Sequence, residues 1–345
     1  MSLISSGDAP EPEHWLVFRL SSLGDVLLTS GPMLYWHKER GWRFTVLTGR
    51  PFAPLFAHNP AVAEVIGLGA GELRTAHLLP FLRALALERQ GQGLLDLHGT
   101  LRSRMLSFFW RGPVRRYPKL ALERRLFLRC RSAPLARRLR ACSVTQRYVM
   151  TAQAQAPPAG LLLPQIFLTP EEKEAARARL RAAGCPGPRR PIALHPYAAH
   201  ARKAWPQEYW ARLAAILEAR GRPWFAVGRG DTPFARDERD FSNRTDLREL
   251  CALLAEADVL VSGDSGPVHL AEAVGTPALA LFGPTAAEWG FFPAGAKSAV
   301  LEKPLPCRPC SLHGAARCKL NGLCLSSISP EEAAARLEDM LAERP

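Results

Sequence analysis

Short apolar runs that alternate with longer helical stretches are the feature that most constrains the fold of this 345-residue chain. The first run, Trp15 to Arg19, leads through a short loop into an amphipathic stretch from Val26 to Arg40, and a second run from Phe44 to Leu47 follows. Strands joined through a helix pair in parallel, with helices covering the faces of the sheet. The pattern therefore predicts an α/β protein.

The same alternation continues through two halves of the sequence. Further strands are predicted at 62–68, 93–97, 191–195, 223–228, 259–262 and 278–282, and helices at 72–89, from 101, at 170–183, 206–220, 247–257, from 267 and at 330–344. Between the halves, residues 153–164 (QAQAPPAGLLLP) lack this periodicity and read as a linker. We expect two Rossmann-like domains, residues 1–165 and 166–345, because a chain of this length fits two domains of about 150 residues.

The charge of +13 and the pI of about 9.8 predict an acidic partner. Eleven Arg or Lys residues and a single acid, Glu123, lie between positions 111 and 140. This basic segment is either a solvated face or a surface that binds anions or docks on a membrane. No motif that reads RNA or DNA accompanies the charge, so nucleic acid is not expected.

The chain is expected in the cytoplasm, with a peripheral contact at the inner membrane. No stretch approaches the roughly 20 apolar residues of a membrane span, and the first 13 residues lack the pattern of a signal peptide.

Two loops that follow predicted strands carry candidate site residues. Residues 19–25 (RLSSLGD) place Asp25 at the start of a helix, where a carboxylate is either a cap or a catalyst. Residues 261–269 (VSGDSGPVH) combine close-approach glycines, a hydroxyl and His269 at another helix start, which suits a diphosphate. A third loop carries Arg202 and Lys203, a cation that could be held over the cleft between the domains.

Four cysteines near the end of the chain follow the spacing C-x2-C-x7-C-x5-C, at Cys307, Cys310, Cys318 and Cys324. Four thiolates at such spacing can enclose a structural zinc or iron ion. Two disulfides and four free thiols are the alternatives, and a reducing cytosol disfavours the disulfides.

Together these stretches resemble the ADP-heptose:lipopolysaccharide heptosyltransferase family, glycosyltransferase family 9. The resemblance spans nearly the whole chain. It is carried by residues 21–34 (SSLGDVLLTSGPML), 95–99 (LDLHG), 195–210 (HPYAAHARKAWPQEYW) and 262–285 (SGDSGPVHLAEAVGTPALALFGPT). It implies the GT-B fold, in which an acceptor-binding N-terminal domain and a nucleotide-sugar-binding C-terminal domain face a central cleft, and metal-independent inversion at the anomeric carbon.

The resemblance also implies a role for each matching residue. Asp25 is expected to be the general base, supported by Ser22 and Gly24, with Lys203 facing the donor phosphate. On the donor side we expect Asp264 at the transferred sugar, Ser265, Gly266 and His269 at the diphosphate, Thr285 in the same nucleotide-sugar site, and Gly228 and Asp231 in a loop facing the nucleoside. Alanines at 198, 199 and 201 stand where sugar-binding hydroxyls would be useful, and the insert at 307–324 resembles the iron-binding cysteine finger of heptosyltransferases that modify autotransporter proteins.

Three functions are compatible with the sequence. The first is transfer of heptose from ADP-heptose to a phosphorylated lipopolysaccharide inner-core acceptor. The second keeps the donor and moves the sugar to Ser or Thr hydroxyls of a protein. The third is a basic nucleotide- or nucleic-acid-binding protein without catalytic activity.

Overall fold

The computed structural model describes residues 11–185, 189–312, 318 and 320–343, and its first half is built on a five-stranded sheet. All strand pairs in this sheet are parallel, and the spatial order is β3-β2-β1-β4-β5. The strands are β1 (His14–Phe18), β2 (Arg43–Gly49), β3 (Val62–Leu68), β4 (Gly93–Asp96) and β5 (Val114–Arg116). The helices are α1 (Leu23–Leu27), α2 (Ser30–Arg40), α3 (Thr75–Glu88), α4 (Leu101–Phe109), α5 (Ala121–Cys130), α6 (Ala133–Arg140) and α7 (Val144–Val149).

The second half contains another parallel five-stranded sheet, ordered β10-β9-β8-β6-β7. Its strands are β6 (Ile192–His195), β7 (Trp224–Ala226), β8 (Leu260–Gly263), β9 (Ala278–Phe282) and β10 (Ala299–Glu302). Its helices are α8 (Pro170–Ala182), α9 (Gln207–Ala219), α10 (Leu247–Ala255), α11 (Gly266–Ala273), α12 (Leu323–Ser326) and α13 (Pro330–Ala342). The expected pair of Rossmann-like sheets is confirmed, whereas the boundary at 165/166 stays a prediction.

The central strands are buried on both faces, which is why they are continuous apolar runs in the sequence. Every residue of β4, β6, β8 and β9 is buried. One cluster of buried side chains also joins the two halves, since it contains Val26 and Leu27 from the first and Leu270 and Ala271 from the second. Helix α1, which follows β1, and helix α11 therefore pack into one shared core.

The stretch predicted as one helix from Val26 to Arg40 is two helices. Thr29 Oγ1 donates to Val26 O at 2.7 Å, and Ser30 Oγ donates to Leu27 O at 2.8 Å. Hydroxyls that bond back to carbonyls of the preceding turn compete with helical hydrogen bonds. The chain thus breaks between α1 and α2, and α1 is left as a short helix that carries Asp25.

The basic segment at 111–140 folds into β5, α5 and α6, and one of its faces packs against the second half. The Phe127 ring meets Trp289 edge-on, with centroids 6.2 Å apart. Arg140 pairs with the buried Glu288 at 2.5 Å, and Arg131 Nη2 donates to Cys307 O at 3.1 Å. The segment is therefore an interdomain contact on one side, which neither sequence interpretation anticipated.

No helix in the described ranges is long and apolar enough to span a membrane.

Candidate functional site

Asp25 lies in the first turn of α1, just beyond the carboxyl end of β1. Ser22 Oγ donates to Asp25 Oδ2 at 2.7 Å, and the Ser22 backbone N–H donates to the same oxygen at 3.4 Å. Asp25 Oδ1 pairs with Arg19 Nη2 at 2.5 Å, while the Asp25 side chain remains 18% exposed. Both oxygens are thus held in place, and the carboxylate is still accessible to solvent.

Arg19 is the cation that orients Asp25, and sequence reasoning missed it. Its guanidinium is buried, donates to Leu97 O at 2.5 Å and lies 5.9 Å from the centre of the Tyr148 ring. The Tyr148 hydroxyl donates to the Asp25 backbone carbonyl at 3.4 Å. An Arg at the end of β1, six residues before a predicted catalytic Asp, was the available signal, because strand ends converge on the cleft.

Two further basic groups of the first half, His98 and Lys119, lie within electrostatic range of Asp25. Burial, reinforced by Arg19 and Lys119, lowers the pKa of His98 to about 4. Burial and then the charges of Arg19 and Arg124 lower the pKa of Lys119, whose Nζ donates to His98 O at 3.4 Å. Arg147 is fully buried, and its Nε and Nη1 have no hydrogen-bond partner in the described part of the chain. Basic side chains of the first half therefore cluster beside Asp25, with Arg19 and Lys119 within electrostatic range of its carboxylate.

On the second half, Asp264 follows β8 and binds two predicted site residues through one oxygen. Lys203 Nζ and Thr285 Oγ1 both lie 2.5 Å from Asp264 Oδ2. The Lys203 and Asp264 side chains are 16% and 15% exposed. These three predicted residues are brought together at the carboxyl edge of the second sheet.

Ser265 caps α11 and belongs to a buried hydroxyl and imidazole cluster. Ser265 Oγ lies 3.0 Å from Ser262 Oγ and 3.4 Å from His195 Nδ1, and Ser262 Oγ lies 3.0 Å from the same His195 nitrogen. Burial lowers the pKa of His195 to about 4, so its ring is neutral at pH 7. His195 was assigned no role from the sequence, although it ends a predicted strand.

Two glycines allow the two halves to approach closely at this point. A Cβ on Gly24 would lie 3.0 Å from His269 Cδ2, and a Cβ on Gly266 would lie 2.8 Å from Leu23 Cδ2. His269 is buried in the first turn of α11, and its Nδ1 makes no hydrogen bond with the described residues. The loop of Asp25 thus lies against the start of the helix predicted to hold the diphosphate.

The predicted nucleoside-facing loop follows β7 and packs on an aromatic ring. Gly228 has φ +128°, and a Cβ there would lie 2.6 Å from Tyr197 Cδ2 and 2.7 Å from His195 Cδ2. The Tyr197 hydroxyl donates to Thr232 O at 3.1 Å. Asp231 is exposed at the tip of this loop. The loop therefore packs on Tyr197 and His195 beside β6, and its contact with a nucleoside stays a prediction.

The four cysteines line one cavity, but they do not form a metal-ligand set. Cys307, Cys310, Cys318 and Cys324 all border it, and all four thiols are free. Burial, with Cys307 and Cys318 adding, raises the pKa of Cys310, whereas a backbone N–H from Gly322 at 3.2 Å lowers the pKa of Cys318. No group of three or more His, Cys, Asp or Glu in the described ranges is placed to hold a metal ion. The expected zinc or iron site is therefore not found among the described residues.

The sequence of this chain is similar to those of known glycosyltransferases. Residues 86–317 match the family model of glycosyltransferase family 9 (heptosyltransferase). Lipopolysaccharide heptosyltransferase 1 of Pseudomonas aeruginosa is 28% identical, over 94% of this chain and 97% of that protein.

Two solved structures share the fold. A glycosyl transferase family 9 structure from Veillonella parvula superposes with a TM-score of 0.74 at 19% identity, covering 97% of this chain and 98% of the other. The ADP-heptose lipopolysaccharide heptosyltransferase II of E. coli superposes with a TM-score of 0.69 at 19% identity, covering 96% and 99%. The expected GT-B fold is confirmed.

Proposed function

Because the chain belongs to glycosyltransferase family 9, the heptosyltransferases, we propose that it moves a heptose from ADP-heptose to a phosphorylated inner-core acceptor of lipopolysaccharide. The Pseudomonas relative is named for lipopolysaccharide, which supports the acceptor, and the E. coli heptosyltransferase II is named for ADP-heptose, which supports the donor. Membership in an enzyme family removes the non-enzymatic alternative. The reaction would take place on the cytoplasmic side of the inner membrane.

One observation carries the proposal: the Asp25 loop of the first half lies against the start of α11 in the second. The would-be Cβ of Gly24 is only 3.0 Å from His269. A base on one side and a diphosphate-binding helix start on the other would place an acceptor hydroxyl between the carboxylate and the anomeric carbon. The catalytic geometry therefore depends on both halves.

Asp25 would act as the general base. A sugar hydroxyl is a poor nucleophile until its proton is removed, and a carboxylate within hydrogen-bond reach can take that proton as the bond to carbon forms. Arg19 and Ser22 hold the two carboxylate oxygens, so the base does not have to be ordered when the acceptor arrives. A fixed carboxylate of this kind suits a single displacement.

Inversion is further supported by the state of Asp264. A retaining mechanism needs a second carboxylate that attacks the anomeric carbon. In this structure Asp264 is held by Lys203 and Thr285 through Oδ2, at the position where the resemblance implies a contact with the transferred sugar and not an attack on it. We therefore propose direct attack by the acceptor oxygen, with inversion.

Departure of the nucleoside diphosphate would be stabilised by protein groups. The Lys203 ammonium, the partial positive charge at the start of α11 and His269 together offer positive charge and hydrogen-bond donors. These groups can balance the charge that develops on the leaving phosphate in a metal-independent reaction.

The acceptor side favours an anionic substrate. Four cations of this half lie within electrostatic range of one another: besides burial, Arg19 and Arg124 lower the pKa of Lys119, and Arg124 lowers that of Arg147. Besides burial, Arg19 and Lys119 also lower the pKa of His98. The carboxylates that act on Lys119 are those of Asp25 and Asp96, so the four cations outnumber the two carboxylates. A phosphorylated glycolipid would supply the missing negative charge, whereas a neutral Ser or Thr side chain of a protein would not.

A donor and acceptor screen tests the proposal. The purified protein is incubated with ADP-, UDP- or GDP-linked sugars and with either a phosphorylated inner-core acceptor, its dephosphorylated form or a protein acceptor, and products are read by mass spectrometry. We expect heptose transfer with ADP-heptose and the phosphorylated acceptor. Transfer to protein hydroxyls instead would support the second function, and no transfer from ADP-heptose to any of the three acceptors would refute the proposed donor.

A further inference from the structure

Helix α5 carries apolar side chains on two opposite faces. Its inner face holds Phe127, which is 5% exposed and packs on Trp289 of the second half. Its outer face holds Leu122 and Leu126, which are 76% and 51% exposed. Large side chains that are exposed in pairs on one helix face call for a partner, whereas single exposed ones do not.

The outer face of α5 is also basic. Arg125 and Arg129 are exposed and follow Leu122 by three and seven positions, which places them on the same side of the helix. Glu123, the acid of this helix, lies toward the inner face, where it is only partly exposed and 3.5 Å from Arg138. The face thus combines leucine and arginine without a carboxylate.

Helix α4 repeats this combination. Leu101 and Phe108 are 75% and 84% exposed and are seven positions apart, with the exposed Arg104 on the same side between them. The buried residues of this helix, Ser103 and Leu106, lie on its other side. Phe108, the most exposed large apolar side chain among the described residues, is therefore presented outward together with an arginine.

The two helices begin at the same edge of the first sheet, beside the proposed acceptor site. Lys119, just before α5, donates to the carbonyl of His98, just before α4, at 3.4 Å. Lys119 is also within electrostatic reach of Asp25. The starts of α4 and α5, which carry the exposed Leu101 and Leu122, therefore lie on the side of the first sheet that holds Asp25.

We propose that the outer faces of α4 and α5 dock on an anionic phospholipid bilayer. Leucine and phenylalanine would enter the boundary between headgroups and acyl chains, and the arginines would pair with lipid phosphates. Charge complementarity favours this occupant, because both faces are basic and lack acids. This docking surface deepens the proposed function, since it would hold Asp25 at the height of a sugar linked to a membrane lipid.

Binding of the full-length protein to extruded vesicles that contain no acceptor tests the docking surface. Vesicles of phosphatidylethanolamine with phosphatidylglycerol are compared with vesicles of phosphatidylcholine by cosedimentation at low and high salt. We expect binding to the anionic vesicles alone, weakened by salt because the arginines contribute through their charge.

Two double variants separate the apolar and charged contributions. Leu122→Ser with Leu126→Ser, and Arg125→Gln with Arg129→Gln, are each expected to weaken vesicle binding about tenfold or more. Leu161→Ser is the matched control, because Leu161 is 66% exposed and belongs to a short 3-10 helix in the linker, outside α4 and α5. All of these side chains are exposed, so circular dichroism and thermal unfolding should match those of the wild type.

The outcomes distinguish docking from catalysis. The docking proposal is overturned if the wild type does not sediment with anionic vesicles, or if both double variants bind as the wild type does. It is also overturned if the variants turn a dimer into a monomer in sedimentation velocity, since the faces would then bind a second copy. Transfer to a water-soluble acceptor without acyl chains should be unchanged in the variants, and loss of transfer in a wild type that still binds vesicles would count against the proposed function only.

Discussion

Replacing Asp25 with Asn tests the proposed base most directly. The amide has the same shape and can still accept a hydrogen bond from Ser22, but it cannot take a proton from the acceptor. Removing a general base typically costs a factor of 10² to 10⁴ in rate, or about 3 to 5 kcal/mol of transition-state stabilisation. We expect kcat to fall within that range while the KM for the nucleotide sugar changes little, because Asp25 lies on the acceptor side.

The substitution should also lower the free energy of unfolding, because it breaks the ion pair between Asp25 and Arg19. Arg19 is left without a countercharge, although its side chain is only 7% exposed. Breaking a buried pair costs about 3 to 5 kcal/mol. Because Asp25 is 18% exposed and Asn keeps a polar contact, we expect a smaller loss of about 1 to 3 kcal/mol. For a protein of this size that lowers Tm by only several degrees.

The assay follows ADP release and product mass at a temperature well below the Tm of the variant. The matched control is Asp339→Asn, because the Asp339 side chain is 65% exposed on α13 and 3.8 Å from its nearest cation, Arg336. The control should retain wild-type kcat and Tm. A folded Asp25→Asn protein that transfers heptose within about fivefold of the wild-type rate would show that Asp25 is a helix cap and not the base.

The donor half supports three further predictions. Lys203→Met should lower kcat about 10²- to 10³-fold, because it removes the positive charge that faces the leaving phosphate. Lys303→Met, which removes a cation paired with the surface residue Glu332, should leave kcat unchanged, and equal effects of the two substitutions would refute the assignment. Gly228→Ala should lower the free energy of unfolding in urea by about 1 to 3 kcal/mol and raise the KM for the donor, because residue 228 has φ +128° and its Cβ would lie 2.6 Å from Tyr197 Cδ2. An unchanged KM for the donor would place the loop outside the nucleotide site. The pKa of His195 is about 4 in the folded protein and 6.5 in the unfolded chain, so the unfolded chain binds more protons between these values and the free energy of unfolding falls as the pH drops from 6.5 to 4. His195→Gln should reduce the slope of the free energy of unfolding against pH in this range by up to about 1.4 kcal/mol per pH unit, as measured by urea titrations.

The sequence predicts the buried strands well but misses two edge strands, β5 and β10. Ile192–His195 and Ala278–Phe282, which are buried throughout, lie where the apolar runs placed them. By contrast, β5 reads Val-Arg-Arg and β10 ends in Glu302, because edge strands pair on one side only and do not have to be apolar. The helices of the basic segment were missed for a related reason: their periodicity is obscured by leucines on both faces of α5.

The site was predictable where chemistry follows a strand within a few residues. Lys203, Asp264 and Thr285 come from separate loops, yet all follow strands of one sheet, and the structure joins them at a single carboxylate oxygen. Lys119 and Tyr148 could not be found in this way. Their positions depend on how α5 and α7 pack between the halves, which the local pattern does not encode.

The two interpretations of Asp25 that the sequence left open are physically compatible. As a cap, Asp25 binds the N–H and hydroxyl of Ser22 through Oδ2, and as a base it would use a carboxylate held by Arg19 through Oδ1. The two roles do not exclude each other, because each carboxylate oxygen has two lone-pair directions and the three contacts leave one direction on Oδ1 free for an acceptor hydroxyl. The cap also fixes the side chain on a helix that is packed against the donor half, so the same contacts that stabilise α1 would hold the base at the distance that transfer requires.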